Sequence, residues 1–274
     1  MLLSVVVPAH RVQGYLRAAL ESVTGQGPAG EAEPELIAVC TPDSPLELAV
    51  ARETAERDPR VRVLVLDGPW DTGAARNAGA AAARGAYLLF LDGDDVLLPG
   101  AVAEISARLS DGPCGARPPQ DPAGDPLPQD PPDVLRLGHD RVDWWGTVEP
   151  GDAALPAARN QLFRRAFWEA HRLRFTEGPY GDVVPVHRAV LLASDAGTLA
   201  GLDRICVRHG RRRAGTTATT PGRAHFAVIR AALSVAAAPG STAQTETPRG
   251  RSRSASSTVC ARWASLARPV AARP

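Results

Sequence analysis

The chain contains no lysine; all 31 of its basic residues are arginine. That absence excludes chemistry built on a lysine amine: the P-loop lysine, Schiff-base catalysis and the Ser–Lys dyad. Cysteine is scarce. Its four copies, Cys40, Cys114, Cys206 and Cys260, are scattered and form no CxxC pair, which argues against a zinc site or a disulfide framework and fits a reducing compartment. No uncharged apolar stretch approaches the roughly 20 residues needed to span a bilayer. The opening Leu2-Leu3-Ser4-Val5-Val6-Val7-Pro8 has no basic flank and reads as a buried first strand rather than a targeting segment. A cytoplasmic protein is expected, touching a membrane at most peripherally. Net charge is only +1, so no overall field recommends nucleic acid as a partner.

What is present is a chain of 274 residues, 44% of them hydrophobic, enough for one substantial core. Residues 2–7, 35–39, 61–66 and 86–91 are short apolar runs, expected as strands covered on both faces. Between them Leu16, Ala19, Leu20 and Val23 recur at helical spacing. Segments 45–57 and 72–84 also read as helices, the second closed by Gly85 past its end, and 100–109 follows as another. This alternation predicts an α/β fold with a mostly parallel sheet and helices on both faces. Residues 111–132 are rich in Pro, Asp, Gly and Gln and predict a long mobile loop. Periodic sequence resumes at 133–137, in a predicted helix at 160–171, in a helical run at 182–192 and in a last strand at 198–207. One domain over 1–235 is expected, then a disordered Arg/Ser/Pro-rich tail over 236–274.

The sharpest local feature is Asp92-Gly93-Asp94-Asp95, directly after an apolar strand. Ligands of open α/β sheets bind outside the carboxyl ends of the strands. Three acids so close repel one another unless a cation or an arginine lies among them. A hard divalent ion, held by one or two carboxylates and substrate phosphates, suits such a turn. Taken alone, four such residues more often make a solvated turn; their neighbours in sequence decide otherwise.

Those neighbours are Ser4-Val5-Val6-Val7-Pro8-Ala9-His10, Tyr15-Leu16, Leu20-Glu21-Ser22-Val23, Gly73-Ala74-Ala75-Arg76-Asn77-Ala78-Gly79 and the run from Gly85 to Asp95. In order and spacing this set resembles family 2 glycosyltransferases of the GT-A fold, well over residues 2–110 and more loosely over 133–220. Trp144-Trp145-Gly146, the run from Asn160 to Arg165, Phe167-Trp168 and Arg174-Phe175-Thr176-Glu177-Gly178 are similar to modules that accompany CDP-glycerol glycerophosphotransferase domains in actinobacterial wall-polymer proteins. The resemblance implies an inverting transfer of a sugar from a nucleotide-sugar donor to a hydroxyl of a glycan or polyol-type acceptor, in cell-wall or surface polysaccharide synthesis. It implies Mg²⁺ or Mn²⁺ on Asp92 and Asp94, with Asp94 the direct ligand, and donor contacts from Pro8, His10, Asp43, Arg76, Asn77 and Asp92.

By the same resemblance Asp182 is the general base, although an acid at a helix start is also favoured by the helix dipole alone. Arg211 and Arg213, ahead of Gly215-Thr216-Thr217, could close over the diphosphate, because guanidinium forks match phosphate oxygens; a solvated basic loop is the equal alternative. Trp144 and Trp145 could form a stacking wall for the acceptor, or simply pack in the core. Two departures stand out. Where the family places a pair of acids at the end of its second strand, this chain has Cys40-Thr41, with Asp43 just beyond, and Gly181 replaces the glutamate that precedes the base. They motivate a second reading, a degenerate, non-catalytic module of the same fold with a scaffolding role. A nucleotidyltransferase is a third, weakened by Pro8-Ala9-His10-Arg11, a poor phosphate loop.

Overall fold

A computed structural model describes residues 2–27, 33–68, 70–110, 131–143, 145–151 and 156–210. The expected Pro-rich loop and the expected tail fall almost wholly outside these residues, as do Trp144, Arg211 and Arg213.

Four strands, β1 (Leu3–Pro8), β2 (Glu35–Cys40), β3 (Val61–Val65) and β4 (Tyr87–Phe90), pair in parallel in the order β3-β2-β1-β4. Three of them, β1, β2 and β4, are buried along their whole length. Their side chains alternate between two cores. Val5, Val7, Leu36, Ala38 and Leu89 pack with α1 (Leu16–Thr24), α2 (Pro45–Arg57) and α4 (Ala101–Ser110). Val6, Ile37, Val39, Leu88 and Phe90 pack on the other face with α3 (Thr72–Ala82), α5 (Arg165–Ala170) and α6 (Val183–Asp195). Period-two alternation with both faces covered is why these strands are apolar without interruption.

Beyond β4 the sheet continues through β8 (Gln161–Arg164), β6 (Val134–Val142), β9 (Leu199–Gly210) and the short β5 (Val96–Leu97), while β7 (Val148–Pro150) forms a hairpin with β6. This half is mixed: β8 is antiparallel to both β4 and β6, whereas β6 and β9 run in parallel.

Two local expectations are corrected. The helix predicted at 160–171 is a 3₁₀ turn at Ala158–Asn160, strand β8, and only then helix α5. Leu162 and Phe163 are fully buried on opposite faces of the sheet, between β4 and β6. Pairing with strands distant in sequence overrides the local pattern there. Gly85 does not cap α3, which ends at Ala82 with an extended residue after it. A side chain at Gly85 would come within 2.6–2.8 Å of Ser4 and Leu3, and its N–H donates to Ser4 Oγ at 2.8 Å. The glycine serves close packing on β1.

Because β2 and β3 lie on one side of β1 and β4 on the other, the chain reverses its order between β1 and β4. The carboxyl ends of those two strands therefore border a topological switch point, where α/β sheets bind ligands.

Candidate active site

The loop after β1 is fixed from α2. Ser44 and Glu47 stand at the start of that helix with the spacing of a capping box, yet Ser44 makes no side-chain cap. Both residues reach across instead. Ser44 Oγ lies 2.7 Å from His10 Nδ1, and Glu47 Oε1 accepts the Val12 N–H at 2.9 Å. Between them Arg11 has φ +54°, an uncommon conformation for a residue with a side chain. The His10 ring lies flat on Trp70, centroids 4.8 Å apart and planes 14° from parallel. Burial and the adjacent Arg11 push His10 below its ordinary pKa, which favours the neutral ring. His10, Asp43, Ser44, Glu47 and Trp70 line a cleft of about 640 Å³.

The acid turn begins two residues beyond the end of β4. Asp92 is bound by Arg76 of α3, whose Nη2 lies 2.5 Å from its Oδ1. Burial raises the Asp92 pKa, but the charges of Arg76 and Arg159 outweigh it and hold the group below the usual carboxylate range. Gly93 packs on the end of β1: a Cβ there would lie 2.9 Å from Val12 Cγ2 and 3.0 Å from the Pro8 carbonyl. Asp95 is fully buried and accepts from the Gly210 N–H at 3.2 Å, and its Oδ1 lies 2.6 Å from His209 Nδ1. Burial pushes its pKa up to about 6, helped by the charge on Asp92 and opposed by His209. Asp94 is half-buried between these two anchored acids.

Asp182 comes to the same place from the far end of the chain. It is the residue before α6, and its side chain makes no cap bond. The turn leading to it is closed by the Thr176 N–H on the Gly181 carbonyl at 3.0 Å, with Gly178 and Tyr180 at positive φ. Helix α3 and its N-cap residue Asp71 hold this segment. Asp71 Oδ2 accepts the Gly178 N–H at 2.7 Å, and the Asn77 amide both donates to the Phe175 carbonyl and accepts its N–H, each at 2.9 Å. Arg76 lies over the Phe175 ring, 5.3 Å from its centroid. Its guanidinium is held charged, against burial, by the nearby carboxylates of Asp92, Asp182 and Asp95.

The structure thus gathers Asp92, Asp94, Asp182 and Arg76, and places Pro8 beneath the acid turn. His10 and Asp43 line the adjoining cleft. Asn77, expected at the donor, has both amide atoms engaged with the Phe175 backbone. Trp145 is 75% exposed, not packed in a core, in the turn between β6 and β7. Val142 at the end of β6 pairs with Gly210, which has no room for a side chain against the Asp94 carbonyl, so that turn leaves from the same end of the sheet as the acid turn. Glu47 and Trp70 in the cleft, and Arg159 and His209 beside the acid turn, are candidate residues that sequence reasoning missed. The Ser44-Pro45-Leu46-Glu47 spacing was a usable signal for the first; the others depend on contacts between distant segments.

The family profile described as glycosyl transferase family 2 matches residues 4–145, more than half of the chain. The chain belongs to glycosyl transferase family 2. O-antigen biosynthesis protein RfbC of Myxococcus xanthus is 39% identical over 107 residues, 38% of this chain but 8% of RfbC. Succinoglycan biosynthesis protein ExoO of Rhizobium meliloti is 29% identical over 197 residues, 70% of this chain and 52% of ExoO. The chain therefore spans about half, or far less, of these relatives. Among solved structures, residues 1–349 of S. aureus TarS in complex with UDP-GlcNAc superpose with a TM-score of 0.64 at 20% identity, over 87% of this chain and 68% of that one. At that identity the likeness speaks for the GT-A fold, which this family 2 chain adopts.

Proposed function

We propose that this chain transfers a sugar from a nucleoside-diphosphate donor to an acceptor hydroxyl, with inversion. The observation that carries the reading is the buried Arg76, which is bonded to Asp92 of the acid turn and also feels the charge of Asp182. Donor diphosphate belongs at the turn, outside the strand ends. Asp182, at the start of α6 and not used as a helix cap, takes the acceptor's proton as its oxygen attacks the anomeric carbon opposite the leaving diphosphate. Asp71, Arg76 and Asn77 keep that carboxylate in register with the donor. The UDP-GlcNAc and UDP complexes of TarS support a nucleotide-sugar donor, and the names of RfbC and ExoO support surface polysaccharide as the product class.

Among the described residues no three His, Cys, Asp or Glu side chains form a ready metal cage. Asp92 is matched by Arg76, and Asp95 is buried against His209. The His209–Asp95 bond leaves His209 Nε2 facing away from the carboxylate, an arrangement common behind metal-binding histidines. These residues fit a divalent ion only together with donor phosphates, the usual habit of Mg²⁺. Asp94 and His209 would hold it, and when bound it would neutralise the leaving diphosphate.

A thermal-shift screen of UDP-, GDP-, TDP- and CDP-sugars with Mn²⁺ tests the reading. One donor class is expected to raise the melting temperature, and EDTA to abolish the shift. No shift and no hydrolysis with any donor would favour the scaffold reading. In support of that alternative, Cys40 is fully buried and Gly181 has no room for a side chain against the Thr176 carbonyl, so neither position can present the family's acid.

A further inference from the structure

A second cavity, of about 380 Å³, lies between the C-terminal half of α3 and the segment formed by α5 and the turn after it. Asp182 and the residues of the acid turn and of the His10 cleft are not among those that line it. On the α3 side the small side chains of Ala80 and Ala81 leave it open; Arg165, Glu169, Arg172 and Arg174 line the other side. Arg165 donates from Nε to the Gly85 carbonyl and from Nη1 to Glu169 Oε1, both at 2.9 Å, so its Nη2 is unused among the described residues. Arg172 and Arg174 are exposed, and neither makes an ion pair or a side-chain hydrogen bond among the described residues. Three guanidinium charges against the one carboxylate of Glu169 leave the cavity with an excess of two positive charges.

Arg172 stands where the local geometry asks for glycine. The Leu173 N–H donates to the Trp168 carbonyl and the Arg172 N–H to the Glu169 carbonyl, each at 3.0 Å, which is the Schellman closure of a helix end. The residue after the C-cap His171 takes the left-handed conformation in that motif, and glycine usually fills it. Here it is Arg172, at φ +51°, a conformation unfavourable for a residue with a side chain. Residues held in such conformations gather at ligand clamps. A cation near a helix C-terminus gains from the dipole, but an arginine outside the left-handed position would gain as much. Nor does the dipole account for Arg174, which lines the same cavity two residues further on.

One guanidinium fork satisfies a carboxylate. A phosphate monoester carries about −1.5 to −2 charge at pH 7 and three acceptor oxygens, which matches both the excess charge and the three guanidinium groups. A concave site of this size suits a small molecule rather than a flat lipid surface. We infer that the cavity binds the phosphate group of a small soluble phosphoester, at a site separate from the candidate active site. It adjoins the clamp on the Asp182 segment, because Asn77 lines it and bonds the backbone of Phe175, the residue after Arg174.

Thermal melting of the full chain in EDTA, with inorganic phosphate and methyl phosphate set against acetate and chloride at equal ionic strength, tests this. EDTA keeps metal-dependent donor binding out of the signal. The two phosphates should raise the melting temperature saturably, and acetate and chloride should not. Arg174→Gln should weaken phosphate binding by about tenfold or more. Arg172→Gly should weaken it comparably, while the free variant melts at or above the wild-type temperature because glycine suits the left-handed position. Phosphate affinity unchanged in both variants would place the anion elsewhere and overturn the inference. So would wild-type melting that ignores phosphate, a result that needs no folded variant. Capture by phosphatidylglycerol vesicles with no response to soluble phosphate would overturn it in favour of a membrane surface.

Discussion

On the proposed donor side, the acid turn sits directly on the ends of β1 and β4, two strands with no exposed residue. On the proposed acceptor side, Asp182 sits at the end of a loop that Asn77 of α3 and the N-cap residue Asp71 tie down. The first arrangement is rigid because moving it means moving the core. The second depends on individual hydrogen bonds between segments nearly 100 residues apart. A damaged donor side should therefore lose binding and turnover together, and a damaged acceptor side should lose turnover with the donor still bound.

The largest effect is expected on the donor side. Asp94→Ala should abolish transfer and metal-dependent donor binding while leaving the melting temperature near wild type. Donor affinity unchanged by the substitution, or by EDTA, would remove the metal from the account.

A smaller effect is expected at the clamp. Asn77→Ala leaves the Phe175 N–H and carbonyl without their partner, at a cost of about 1–3 kcal/mol in stability. Turnover should fall while the donor dissociation constant stays within about twofold, because the loop that carries Asp182 loosens and the acid turn does not. A parallel loss of donor affinity would show that Asn77 acts on the donor after all.

The foot of the sheet separates stability from both sides of the site. Glu35 is buried there, which raises its pKa, but Ser4, the Arg84 and Gly85 amides and Arg62 outweigh that and hold it below the usual carboxylate range. A depressed folded-state pKa adds stability above the unfolded value near 4.3 that is lost as pH falls through the folded value. Glu35→Gln should therefore cost about 1–3 kcal/mol at pH 7, and progressively less below about pH 4. Donor affinity of the folded protein should not change. A cost independent of pH would assign the loss to packing rather than charge.

The same contrast explains what could be read from the sequence. β1, β2 and β4 are covered on both faces, so burial writes an unbroken apolar run and the acids after β4 stand out against it. β8 carries Gln161 and Arg164 around only two apolar residues, and it is a strand because β4 and β6 flank it. The fold class and the acid turn were legible for that reason. The partnership of Asn77 with Phe175, of His209 with Asp95 and of His10 with Trp70 left no local mark, since each joins residues whose neighbours in sequence are indifferent to the contact. Glu47 was half legible: its spacing from Ser44 was that of a helix cap, and only the fold showed both side chains reaching to the β1 loop.

The claim on which the rest depends is that Asp182 is the base facing a donor held at the acid turn. Asp182→Asn is nearly isosteric and removes basicity alone, so transfer should be measured alongside donor affinity on the same preparation. Turnover is expected to fall by about 10²–10⁴-fold, with donor affinity and melting temperature near wild type. Turnover equal to wild type would show that the proton goes elsewhere, and the account of the acceptor side would fall.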